Sequence, residues 1–220
     1  MNKLGIVNIA VILFNPWWWV AFQRDLVIGI LALLVSLLVA LYFFQGRMGK
    51  LLILFSAVFV SISIITALDS TIWTTSELEI QQYGRRHEFY AKGLGKLYTN
   101  RFTLSYFKKY HLPLTKLQGN FFANLDPNLY FFSSHPRERG GIEEFNKYLP
   151  IFLPFFIIGF LYLIYNPKTK LIIYIAAILL LSSFISPNFK LGPILVLPII
   201  NYLITLGLLL SIKILGIKNE

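Results

Sequence analysis

The chain has 220 residues, of which 56% are hydrophobic and 16% aromatic, and its mean hydropathy is +0.66. That excludes a disordered polypeptide and argues against an ordinary water-soluble domain. The formal charge of +10 and the absence of cysteine narrow the range further. Disulfides, thiolate metal sites and cysteine nucleophiles are excluded together, and much of the basic excess sits in short loops where anionic headgroups account for it without nucleic acid.

In chain order, the first apolar segment is Leu4 to Phe22, after Met1-Asn2-Lys3. It resembles the start of a secretory signal, but Asn15-Pro16-Trp17-Trp18-Trp19 puts bulky aromatics where cleavage needs small residues. The segment therefore reads as an uncleaved span, with its Trp block at a membrane interface. Leu26 to Phe44 carries no charge. About 19 residues rising about 1.5 Å each reach roughly 28 Å, the thickness of a hydrocarbon core. Leu51 to Leu68 repeats the pattern, and Leu149 to Tyr165, Leu171 to Ile185 and Pro193 to Ile212 follow after a long polar stretch. Uncharged runs of this length seldom recur in soluble folds.

The sequence thus predicts an all-α integral membrane protein of six transmembrane helices in a 3+3 arrangement. Residues 1–68 form a three-span unit, 69–148 a largely helical extracytoplasmic loop domain lying at the interface, and 149–220 a second three-span unit. With alternating sides, Lys3, Arg47, Lys50, Lys168, Lys170, Lys213 and Lys218 fall on one face and only Arg24 and Lys190 on the other. The positive-inside rule puts both termini in the cytoplasm and the long loop outside a cell membrane. In the Arg24-Asp25 turn, opposite charges can pair at the outer surface.

Within the loop, Ser76-Glu77-Leu78-Glu79 matches a capping box and predicts a helix start. Ile80, Tyr83, His87, Tyr90, Leu94 and Leu97 recur at helical spacing as an apolar face, with Arg85, Arg86, Glu88, Lys92 and Lys96 on the remaining surface. A second helix is expected from about Asn100 to Tyr110, with the composition of an interfacial helix. From Asn120 the density of Asn, Pro and Gly predicts ordered turns. The aromatics Phe121, Phe122, Tyr130, Phe131 and Phe132 are expected to anchor those turns at the interface.

The stretches Ser76 to Arg86, Asn100-Arg101-Phe102 and Asn120 to Phe132, followed by the spans Leu149 to Tyr165 and Pro193 to Ile212, resemble the late outer loop and final spans of GT-C polytopic membrane glycosyltransferases. The resemblance implies work on a polyprenyl-phosphate-linked sugar outside the membrane, with an acidic base and basic residues for the lipid phosphate. Those enzymes carry key acids in an outer loop right after the first span, where this chain has only Gln23-Arg24-Asp25.

Among individual residues, Arg137 and Arg139 flank a turn with His135 and can hold a phosphate bidentately. Their competing role is pairing with Glu138, Glu143 or Glu144 and with headgroups. Asp126 and Glu138 are the candidate bases, although Asp126-Pro127-Asn128 is also an ordinary turn. The spacing of His87, His111 and His135 matches no metal motif, so neither metal nor other cofactor is expected. Charged residues are missing from the spans, which disfavours ion-coupled transport; Asn8, Asn15 and Asn201 read as interhelical hydrogen-bond partners. The expected function is a non-catalytic component of cell-envelope glycan or lipid-linked sugar handling, and the alternative is a minimal GT-C-like transferase. Partners are membrane lipids, with a polyprenyl-phosphate lipid or another membrane protein as the specific one.

Overall fold

The computed structural model describes residues 3–132 and 147–214. Among them the regular structure is helical, with one isolated antiparallel bridge between Thr71 and Ile185. Helix α1 (Lys3–Leu13) and α2 (Pro16–Arg24) are bent by 65° at their junction. Pro16 has no N–H for the helical ladder, so α1 ends before it. Asn15 then starts α2 as its cap, accepting the Trp17 N–H at 2.9 Å. The stretch Leu4 to Phe22, expected as one span, is therefore two helices meeting at a sharp bend.

Helix α3 (Leu26–Gln45) is capped by Asp25, whose carboxylate accepts the Ile28 N–H at 3.1 Å, and ends at Gly46 with φ 71°. A left-handed residue there costs glycine little and lets the chain reverse. Helix α4 (Gly49–Thr66) follows. An arm comes next: α5 (Glu77–Leu94), α6 (Lys96–Thr99), α7 (Arg101–Tyr106), a π-helical turn (Phe107–His111), α8 (Leu112–Leu125) and α9 (Asn128–Phe131). The chain returns to the bundle with α10 (Leu153–Tyr165), α11 (Thr169–Ser182) and α12 (Leu197–Ile214).

Three helical stretches are long and apolar enough to cross a membrane: α3, α4 and Ile194–Ile214. The bent α1–α2 pair makes a fourth when counted as one span. Helix α10 with its leading turn (Pro150–Tyr165) and α11 are apolar but shorter, about 24 Å and 21 Å at about 1.5 Å per residue.

Helix α12 is the hub. Every residue from Leu197 to Gly207 is buried, by α1, α3 and α10. Gly159 of α10 and Gly207 of α12 make the closest crossing: a Cβ on Gly159 would overlap the Leu203 carbonyl, and one on Gly207 the Phe155 carbonyl. Small residues permit this backbone approach, the usual basis of helix association in lipid. By contrast α4 turns Ile53, Leu54 and Ile65 outward, and α10 turns out Ile157, Leu161 and Ile164. Such surfaces need an apolar surrounding.

Buried polar groups stitch the hub together. Asn15 Nδ2 donates to Asn201 Oδ1 (3.4 Å), Tyr148 Oη donates to the same oxygen (2.7 Å), and Asn201 Nδ2 donates to Ser36 Oγ (3.3 Å). Asn8 Nδ2 reaches Thr205 Oγ1 at 3.1 Å. The asparagines thus are the interhelical partners that the sequence suggested. Since Asn8 lies by Thr205 and Asn15 by Asn201, α1 runs antiparallel to α12.

Trp17 and Trp18 are buried in this bundle, unlike the interfacial block expected, while Trp19 is 44% exposed. The indole of Trp17 donates to the Leu191 carbonyl at 2.6 Å and packs against Tyr130 and Tyr148. The break at Pro16 turns the indole inward, and its N–H finds a partner there.

Connections meet at the two ends. At one, Lys168 Nζ donates to the Phe43 carbonyl at 3.1 Å, satisfying part of the α3 C-terminus. At the other, Ser186 N–H donates to the Ser70 carbonyl (2.8 Å), Ile72 N–H to the Phe184 carbonyl (3.0 Å), and Arg24 Nη1 to the Lys190 carbonyl (2.6 Å). The Arg24-Asp25 turn is thus organised by a helix cap and a loop carbonyl.

Candidate functional site

The arm starts as the sequence implies. Ser76 Oγ accepts the Glu79 N–H at 3.3 Å and Ser76 N–H donates to Glu79 Oε2 at 2.9 Å, a complete capping box. Lys116 Nζ of α8 then binds the same Glu79 oxygen at 2.8 Å and the Thr74 carbonyl at 2.7 Å, tying both strokes of the arm to its root. Burial pushes the Glu79 carboxyl up, but Lys116 and the Ser76 amide outweigh this and hold it below its ordinary 4.5.

The second stroke is longer than the sequence suggests. Helix runs on from Arg101 to Leu125, through a π-helical turn just before Pro113. A proline cannot complete the regular ladder, and the widened turn accommodates it. Residues 120–125 are helical instead of turned because Asn120 Nδ2 donates to the Ser183 carbonyl (3.0 Å) and Asn124 Nδ2 to Ser182 Oγ (3.2 Å). These bonds fasten α8 to the end of α11. Tyr130 and Phe131, expected as interface anchors, are instead buried against Trp17, Tyr148 and Phe156. Phe122 and Phe132 do face outward.

Between the strokes lies a half-open cavity of about 270 Å³ lined by Tyr83, Arg85, Arg86, Phe89, Tyr90, Phe107 and His111. Its floor is an aromatic stack. The Tyr83 ring lies on Phe107 with centroids 4.3 Å apart and 19° between planes, and the Tyr83 hydroxyl donates to the Phe107 carbonyl at 3.1 Å. His87 and His111 sit 4.6 Å and 5.1 Å from the same Phe107 ring. The apolar face expected on α5 therefore divides: Tyr83 and His87 pack on the π turn, while Ile80, Tyr90 and Leu94 remain exposed.

Arg85 and Arg86 are exposed side chains on the wall, and no carboxylate lines the cavity. Two guanidinium forks over aromatic rings form a site for an anion with an apolar neighbour. Sequence reasoning assigned this arginine pair to the polar surface of α5. The available signal was its setting, Tyr83-Gly84-Arg85-Arg86 followed by Phe89-Tyr90; what closes the site, Phe107 and His111, comes from a distant turn.

Asp126, the candidate base, accepts the Asn128 N–H at 2.9 Å and so serves the turn that starts α9. His135, Arg137, Glu138 and Arg139 lie outside the described residues. Among the described residues no group of three His, Asp or Glu side chains is placed to hold a metal ion.

No family model, no curated protein and no solved structure matches this chain. The likeness to GT-C transferases therefore rests on sequence pattern alone.

Proposed function

We propose that this is a six-span, non-catalytic component of the cell envelope whose arm engages phosphate-bearing lipid in the handling of lipid-linked sugars. The observation that carries the reading is the arm itself. Residues 77–125 hold eight Lys and Arg against three Glu. Helix α5 buries no residue, and Leu78, Phe89, Phe102 and Tyr110 all face outward. A basic, aromatic-rich surface of that kind suits the boundary between acyl chains and anionic headgroups.

Six crossings are supported by the way the ends meet. Helix α11 leaves Lys168, which is bonded beside the end of α3, and arrives at Ser182, next to the Ser70–Ser186 contact beyond the end of α4. It therefore runs between the same two ends of the bundle as α4, and α10 pairs with α12 along the Gly159–Gly207 crossing. The basic bias of the loops supports cytoplasmic termini and an outer arm.

The non-catalytic reading draws on Asp126, whose carboxylate is used by its own turn, and on the single acid, Asp25, in the first outer turn, which caps α3. Native mass spectrometry of the protein extracted in mild detergent tests the proposal. The expected result is selective retention of polyprenyl-phosphate lipid over zwitterionic phospholipid, with no transfer of sugar when a polyprenyl-phosphate sugar is supplied. Equal retention of both lipids sinks the lipid-phosphate reading, and turnover that is lost in Asp126→Asn sinks the non-catalytic one.

A further inference from the structure

We infer that the cavity between α5 and the π turn is a binding site for a phosphate monoester, its dianionic head held between Arg85 and Arg86 and its organic neighbour lying on Phe89 and Tyr90. The inference rests on the lipid-phosphate reading above and gives it an address. Three properties of the cavity select this ligand. Its charge is all of one sign: Arg85 and Arg86 line it, His111 adds a ring nitrogen, and no Asp or Glu does. Two guanidinium forks offer more donors than a singly charged diester can use, whereas three terminal oxygens of a monoester can accept from both.

Size is the second property. About 270 Å³ lies just below the range of about 300–1,000 Å³ usual for small-molecule pockets, enough for one phosphate and the first few atoms attached to it. Third, the floor beneath the two arginines and the exposed rings of Phe89 and Tyr90 is rigid. Tyr83 is locked on Phe107 by ring stacking and by its hydroxyl bond to the Phe107 carbonyl, so the base of the cavity keeps its shape without a ligand to organise it. Phe107 and His111, one helical turn apart, both meet Tyr83 of α5.

The chemistry admits two sources, a lipid headgroup or a soluble phosphate ester, and the test separates them. Full-length protein in nanodiscs of phosphatidylcholine is titrated with phosphatidic acid, and separately with glycerol phosphate and inorganic phosphate, for wild type, Arg85→Ala/Arg86→Ala and Arg85→Lys/Arg86→Lys. The expected result is a loss of phosphatidic acid affinity of about tenfold for each arginine removed, on the order of a hundredfold for the double alanine variant. The lysine pair keeps charge without the fork and should recover only part of this. Phosphatidylglycerol, a diester, should bind more weakly than phosphatidic acid and lose little in either variant.

Competition by glycerol phosphate identifies a head-only site open to soluble esters; no competition identifies a lipid-fed one, and either supports the assignment. If wild type retains lipid phosphate and the double alanine variant retains it equally, the cavity is not the site, while the broader lipid-phosphate reading survives. If wild type binds no monoester at all, both fall. Unchanged circular dichroism and an unchanged melting profile establish that the variants fold.

Discussion

Replacing Asn201 by Leu is the most direct test of how the bundle is held. In the wild type its oxygen accepts from Tyr148 Oη at 2.7 Å and Asn15 Nδ2 at 3.4 Å, and its amide donates to Ser36 Oγ at 3.3 Å. Leucine has the same branched skeleton of four side-chain heavy atoms, so the main loss is one of polar contacts. Interhelical bonds in membranes average about 0.6 kcal/mol and reach about 1.7 kcal/mol, so three give about 2 kcal/mol. Tyr148 retains the Leu197 carbonyl at 3.3 Å and Ser36 retains the Ala32 carbonyl at 2.6 Å, which limits the damage at those two groups. Asn15 Nδ2 is left buried without Asn201, a cost of about 1–3 kcal/mol in its own right. The total is about 3–5 kcal/mol, read by equilibrium unfolding in lipid–detergent bicelles. A cycle with Asn15→Leu isolates the pair: removing both should cost less than the two single losses together, by about 1 kcal/mol. Stability within about 0.5 kcal/mol of wild type for Asn201→Leu, or strict additivity in the cycle, would refute the reasoning.

Gly207→Leu drives a side chain into the Phe155 carbonyl, where backbone must move, and should cost about 3 kcal/mol or more by the same unfolding assay; Leu208→Ala, next to it but half-buried, should cost less. Glu79 gives a pH dependence. Its folded carboxyl titrates below 4.5, so its stabilisation of the arm root is complete above the unfolded value and disappears as pH falls through the folded one. Hydrogen exchange at the first turn of α5 should therefore quicken in acid, with Lys116→Met quickening it already at neutral pH. Protection that increases on acidification would contradict this.

The apolar segments were legible because lipid-matched hydrophobic runs are a one-dimensional signal, and Ser76 and Glu79 announced α5 because a capping box is local. The break at Pro16 was also written in the chain, yet the surrounding hydrophobicity reads as one span when length alone is weighed. Tyr130 and Phe131 misled for a related reason: an aromatic pair beside polar residues suits an interface, and only the fold puts them under Trp17 and Tyr148. Asn120 and Asn124 look like turn formers until Ser182 and Ser183 supply partners that keep them helical. The arginine cavity was legible by half, since α5 displays Arg85, Arg86, Phe89 and Tyr90 in sequence, whereas Phe107 and His111 arrive through a π turn that no periodicity marks.

The central place of α12 has a consequence for biogenesis. Every described helix packed on it precedes it in the chain, so α1 and α3 are made with Asn8, Asn15 and Ser36 still lacking their partners on α12. Polar groups in lipid seek substitutes, from water at the boundary, from each other or from an insertion factor. The bundle therefore cannot mature helix by helix as it is translated. Its N-terminal half waits as an unfinished intermediate until Asn201 and Thr205 arrive, and that interval is when quality control has its clearest view of the chain.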